Sequence, residues 1–127
     1  MAIEDLIASV HFYFMLVAIV FFSTSMLMVA FHKPKSWLLL HKSFASLGFL
    51  TSIIGLIVLG RLVLEIIHGF FGFIIMIIFA VITLLGLIAI QKKNKNVRAV
   101  HLWLSRIIYI LSLFLIVLGI LTLLLQS

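Results

Sequence analysis

Residues 62–96 read LVLEIIHGFFGFIIMIIFAVITLLGLIAI followed by QKKNKN. The first 29 letters hold a single charged residue, Glu65, and a single histidine, His68. An apolar run of 18 or more residues reads as a bilayer-spanning helix. The six polar residues Gln91-Lys92-Lys93-Asn94-Lys95-Asn96 end the run abruptly and read as a loop. One such run fixes the class, because in hydrocarbon every backbone polar group must be satisfied within the protein.

Three further runs have the same character. They cover about residues 6–31, 36–60 and 97–125, with the quoted run at 62–90. His32-Lys33-Pro34-Lys35 closes the first, because proline disfavours helix at the residue before it. Gly60 ends the second. Short connections make neighbouring helices antiparallel, so the sequence predicts an all-α transmembrane up-down four-helix bundle forming one domain over residues 1–127. Glu4 and Asp5 precede the first run where a signal peptide would carry positive charge, so that run reads as a retained span.

Composition agrees. The chain has 127 residues, 66% hydrophobic and 9% charged, with a net charge of +6. Those proportions exclude a soluble domain, a disordered tail and a nucleic-acid reader. With no cysteine, disulfides, iron–sulfur clusters and thiolate chemistry are excluded too. Lys33, Lys35, Lys42, Lys92, Lys93, Lys95, Arg98 and Arg106 fall at one end of the predicted spans, and only Arg61 at the other, beside Glu4, Asp5 and Glu65. The positive-inside rule then predicts cytoplasmic basic loops with both termini outside. Trp37 and Trp103 sit at the basic end, as interfacial tryptophans do.

Five histidines in so apolar a chain call for a reason, because ionisable residues in spans are costly and face an interior site. By topology, His11 and His68 lie near the outer ends of the first and third spans. His41 and His101 lie near the cytoplasmic starts of the second and fourth. In a square bundle with axes about 8–10 Å apart, each pair spans a diagonal. Two inward imidazoles can ligate one metal across that gap when a flat apolar macrocycle carries it, which predicts two bis-histidine haems. About 20 Å of helix separates the two levels. His32 has no partner at its level and reads as interfacial, with a propionate or substrate contact as the lesser reading.

The faces carrying these histidines are lined with small residues. Ala45, Gly48, Ser52 and Gly55 follow His41, and Gly72 and Gly86 follow His68. Ser105, Ser112 and Gly119 follow His101, and Met15, Ala18 and Ser25 follow His11. Such stripes leave room for a macrocycle, and they equally serve close helix packing. Ile57-Val58-Leu59-Gly60 and Ile116-Val117-Leu118-Gly119 hint that the two halves are copies of one helix pair.

In this order and spacing the motifs resemble the cytochrome b561 family, over nearly the whole chain. His68-Gly69-Phe70-Phe71-Gly72 with a run to Gly86 is similar to that family's third core helix. Val100-His101-Leu102-Trp103-Leu104-Ser105-Arg106 is similar to its fourth, with Ser105 where glycine often precedes the arginine. Trp37 with His41-Lys42, and His11 with Met15, resemble the second and first. The resemblance implies two b-type haems and transmembrane electron transfer, with His11 and His68 on the outer haem and His41 and His101 on the cytoplasmic one. It further implies that Lys42 and Arg106 neutralise propionates or bind an anionic reductant.

The sequence therefore predicts a dihaem electron-transfer protein in the lipid bilayer, with a small-molecule or quinol donor, an acceptor it does not identify, no nucleic-acid partner, and room for a homodimer. Two competing readings are a haem-bearing anchor subunit of a larger reductase and a haem-free small transporter or packing module. No hydrolase triad, phosphate loop or carboxylate pair is present.

Overall fold

A computed structural model describes residues 3–60 and 67–126. Among the described residues the fold is all-α, with four helices: α1 (Ile3–Phe31), α2 (Trp37–Leu59), α3 (Ile67–Lys92) and α4 (Lys95–Gln126). All four are long and apolar enough to cross a membrane, which makes this an integral membrane protein. The helices form two compact units, residues 1–62 and 63–127, each an antiparallel helix hairpin.

In the first hairpin, residue 11 of α1 faces 55 of α2, 18 faces 48, and 25 faces 41. Each step of seven up one helix is a step of seven down the other. A seven-residue repeat at a helix pair is the spacing of left-handed, shallow-angle packing. The seam between the histidines is made of the smallest residues available: Ala18, Ser25, Gly48 and Gly55 are all buried. A Cβ on Gly48 would lie 3.0 Å from the Phe22 ring and 3.2 Å from the Ala18 carbonyl oxygen. The two backbones are therefore in direct contact, as small residues permit in membranes.

The second hairpin keeps the spacing with other side chains. Residue 68 faces 115, and 82 faces 101. Ile75, Ile82 and Ile108 are buried in its seam, with Phe79, Leu104 and Leu115 packed against them. A shift of 57 residues carries His11, Ala18 and Ser25 onto His68, Ile75 and Ile82. A shift of 60 carries His41, Gly48 and Gly55 onto His101, Ile108 and Leu115. The hairpins are thus copies of one design, one filled by backbone contact and the other by isoleucine.

Hydroxyl groups bond back onto their own helices. Ser52 donates to the Gly48 carbonyl at 2.8 Å, Ser112 to Ile108 at 2.7 Å, and Thr83 to Phe79 at 2.9 Å. Such i−4 bonds satisfy a polar group where no water is at hand.

The turns differ from the sequence expectation in extent. Only Lys93 and Asn94 break the helix where residues 91–96 read as a loop: Gln91 and Lys92 extend α3, and α4 begins at Lys95 rather than 97. Lysine and glutamine are good helix formers, and the reversal needs only two residues. Lys93 takes a left-handed conformation (φ 49°), and the Asn94 side chain accepts the N–H groups of Asn96 (2.9 Å) and Val97 (3.2 Å) as an N-cap. His32 is left-handed as well (φ 51°) and ends α1, while Gly60 (φ 69°) ends α2, where glycine carries no steric cost. Helix α1 starts at Ile3, ahead of the expected residue 6. The expected start of the third span at 62, with Arg61 and Glu65, lies outside the described residues.

The close approach at Gly48 predicts an asymmetry between equivalent positions. Gly48→Val should cost about 1–3 kcal/mol by overpacking, against about 0.5–1.5 kcal/mol for Ile108→Val. Unfolding in detergent micelles followed by far-ultraviolet circular dichroism measures both. A Gly48→Val protein as stable as wild type would refute the contact.

Candidate haem-ligand site

Each of the four span histidines reaches across its hairpin to a backbone carbonyl on the partner helix. His11 Nδ1 lies 2.9 Å from the Gly55 oxygen, and His68 Nδ1 lies 3.2 Å from the Leu115 oxygen. His101 Nδ1 lies 2.9 Å from the Ile82 oxygen, and His41 Nδ1 lies 3.2 Å from the Ser25 oxygen. These partners occupy equivalent places: Gly55 maps onto Leu115, and Ser25 onto Ile82. A carbonyl oxygen can only accept, so in each case Nδ1 carries the proton and donates it. The lone pair of the neutral ring then belongs to Nε2. Metal-bound histidines characteristically donate their other ring N–H in this way, to a carbonyl or carboxylate that fixes tautomer and ring angle.

The geometry also sets the spacing. On every helix the histidine and the accepting carbonyl are fourteen residues apart: 11 and 25, 41 and 55, 68 and 82, 101 and 115. Fourteen residues of helix rise about 21 Å. Each hairpin therefore carries one imidazole near its open end and one near its turn, too far apart to share an ion. All four rings are half-buried. Among the described residues, no three His, Cys, Asp or Glu side chains gather into a metal-binding cluster.

The glycines take more specific places than same-face counting assigns them. Gly86, counted on the face of His68, lies under the ring of His101: a Cβ there would stand 2.9 Å from its Cε1. Gly119, counted on the face of His101, lies under the ring of His68, at 2.8 Å. Each glycine is thus the seat of the other helix's imidazole, four residues beyond the carbonyl that holds it. Gly55 lies against Met15 and Phe14, with His11 Nδ1 3.8 Å from its Cβ position, and Gly48 packs on Phe22. Gly72 meets only Leu115, at an ordinary 3.6 Å. Within the hairpins, then, Gly48, Gly55 and Gly86 serve helix contact and imidazole seating.

Sequence reasoning missed the carbonyl partners and the Ser25 contact to His41. No sequence signal marks them, because the accepting carbonyls belong to a serine, a glycine, an isoleucine and a leucine.

The basic side chains among the described residues lie at the turn end of each hairpin. Lys33, Lys35 and Lys42 do so in the first, and Lys92, Lys93, Lys95, Arg98 and Arg106 in the second, all exposed. Arg106 stacks over Trp103 at 5.6 Å, and Trp103 is itself exposed. Lys42 directly follows His41 on α2, and Arg106 stands five residues after His101 on α4. His32, at the end of α1, packs edge-on against Trp37 at 4.6 Å. That contact is an aromatic pair at the turn end.

No family model matches the chain, and no curated protein or solved structure matches it significantly.

The glycine seats give a matched test in the metal-free protein. Gly86→Ala should displace the His101 ring and Gly119→Ala the His68 ring, while Gly72→Ala should leave both in place. Nitrogen-15 spectra of histidine-labelled protein in micelles report the Nδ1–H resonances. An unchanged His101 resonance in Gly86→Ala would count against the seat.

Proposed function

We propose that this chain is a dihaem b-type membrane cytochrome that carries electrons across the bilayer. His11 and His68 ligate one haem, near the open ends of the hairpins. His41 and His101 ligate the other, near the turns. The observation that carries this reading is the fourfold repetition of one unit: an imidazole donating Nδ1–H to a helix carbonyl, with its Nε2 lone pair set by that bond. The donor set fits haem: two imidazoles per site, and no cysteine in the chain.

When bound, haem iron supplies one-electron chemistry. The chain's residues do the rest. The carbonyls of Gly55, Ser25, Leu115 and Ile82 hold the rings at fixed angles. Gly86 and Gly119 admit the imidazoles of the second hairpin. The apolar side chains keep water from the path, and the fourteen-residue interval sets the two levels about 21 Å apart. Lys42 and Arg106, exposed at the turn end, supply positive charge for haem propionates or an anionic reductant. A small-molecule or quinol donor is in keeping with an integral membrane protein of this size, and service as the haem-bearing anchor of a larger reductase uses the same ligands. The basic turns face the cytoplasm, leaving both termini outside.

A haem-free packing module is the competing reading, and the same hydrogen bonds favour it, since a histidine bonded across a helix pair also holds that pair together. An absorption spectrum separates the two. The purified protein should show a Soret peak and a split alpha band, with two haems per chain; their absence sinks the cytochrome reading. His68→Ala should lose the outer haem alone, and His101→Ala the cytoplasmic one alone, each halving the haem content. Loss of both from a folded variant would defeat the two-level arrangement. For the topology, a cysteine placed at Asn94 should react with an impermeant maleimide only from the cytoplasmic side of sealed vesicles.

A further inference from the structure

His41 is held by a side chain as well as by a backbone carbonyl. The Nδ1 atoms of His11, His68 and His101 each meet a backbone carbonyl; His41 Nδ1 meets the Ser25 carbonyl at 3.2 Å and the Ser25 hydroxyl at 2.7 Å. Ser25 is 3% exposed, at the closed seam of the first hairpin. Its hydroxyl oxygen stands 3.1 Å from the carbonyl of His41 and donates its proton there. The circuit is closed: the His41 ring donates to the Ser25 oxygen, and the Ser25 hydroxyl donates to the His41 backbone. A hydroxyl whose own proton is already donated is a better acceptor, because hydrogen bonds in a chain polarise one another. The equivalent residue in the second hairpin is Ile82, which offers a carbonyl and no side-chain oxygen.

We infer that Ser25 is a positioning residue that makes the haem at the turn end electronically distinct from the one at the open end. The inference rests on the dihaem reading and deepens it. A stronger acceptor on Nδ1–H leaves more electron density on the ring, and the ring becomes a stronger donor through Nε2. A stronger donor favours the oxidised iron over the reduced one, so Ser25 lowers the potential of the haem that His41 ligates. Reduction adds one electron at the iron, breaks no bond in the chain and leaves the Nδ1 proton in place. The hairpins repeat, but the residue facing His41 carries a hydroxyl and the residue facing His101 does not.

The test uses Ser25→Ala and, as a variant that keeps nearly the same volume with a weak acceptor, Ser25→Cys. Two readouts are taken on the full-length protein. The first is the His41 Nδ1–H resonance of histidine-labelled, haem-free protein, which should move upfield in both variants, less in Ser25→Cys. The second is a potentiometric titration of the haem-loaded protein, monitored optically. The turn-end haem, identified as the one missing from His101→Ala, should rise in potential while the other stays within error. An unmoved His41 resonance overturns the inference even if both haems are present. An equal shift of both haems also overturns it, because that is what general loosening of the fold produces. If wild-type protein binds no haem, the cytochrome reading falls and the inference with it. A His41 resonance that still moves in Ser25→Ala would then locate the failure in the cofactor and not in the Ser25 contact.

Discussion

An imidazole inside a bilayer needs an acceptor for its N–H, and here each ring finds a carbonyl of the neighbouring helix, joined at His41 by the Ser25 hydroxyl. Measured couplings of this kind in membranes average about 0.6 kcal/mol each, so four of them contribute only about 2–3 kcal/mol. Their weight lies in geometry. A histidine bonded to a particular carbonyl fixes both the rotation and the axial position of one helix against the other. Two such bonds, one near each end of a hairpin, leave the pair no register to slide into. The seam residues, the glycine seats and the separation of the two ring levels all follow from that register.

Within that constraint the hairpins found two solutions. The first brings backbones together through Ala18 and Gly48. The second holds them apart with Ile75, Ile82 and Ile108 and then needs Gly86 and Gly119 to admit the rings. In the first, Val29 and Leu59 stand at the positions equivalent to those glycines. The physical lesson is that conserving a contact between two functional groups does not require conserving the packing between them.

The four spans were legible in the sequence because bilayer thickness imposes a length and a composition that no soluble helix shares. Which end of its hairpin each histidine occupies was legible too, since alternating direction follows from the short turns. The identity of each ring's partner was not. Counting along one helix shows which residues share a face, but Gly86 and Gly119 act on rings of the opposite helix, and that depends on register. The loop at 91–96 was overread for a related reason: polarity marks where a chain leaves the membrane, and a helix made of lysine and glutamine continues beyond that point. Ser25 was legible only as one more small residue, because its distinction lies in what stands across from it.

The fourteen-residue interval has a bearing on how such a chain can vary. Adding or losing one residue between positions 11 and 25 turns one end of the helix by about 100° against the other, so both cross-hairpin bonds cannot survive together. The same change in a turn leaves every bond in place. The two hairpins already illustrate this freedom: the connection from Ser25 to His41 is three residues shorter than that from Ile82 to His101, with the ring-to-carbonyl contact kept in both. Length variation is therefore confined to the turns, while the helix interiors act as rulers whose gradations cannot be redrawn singly.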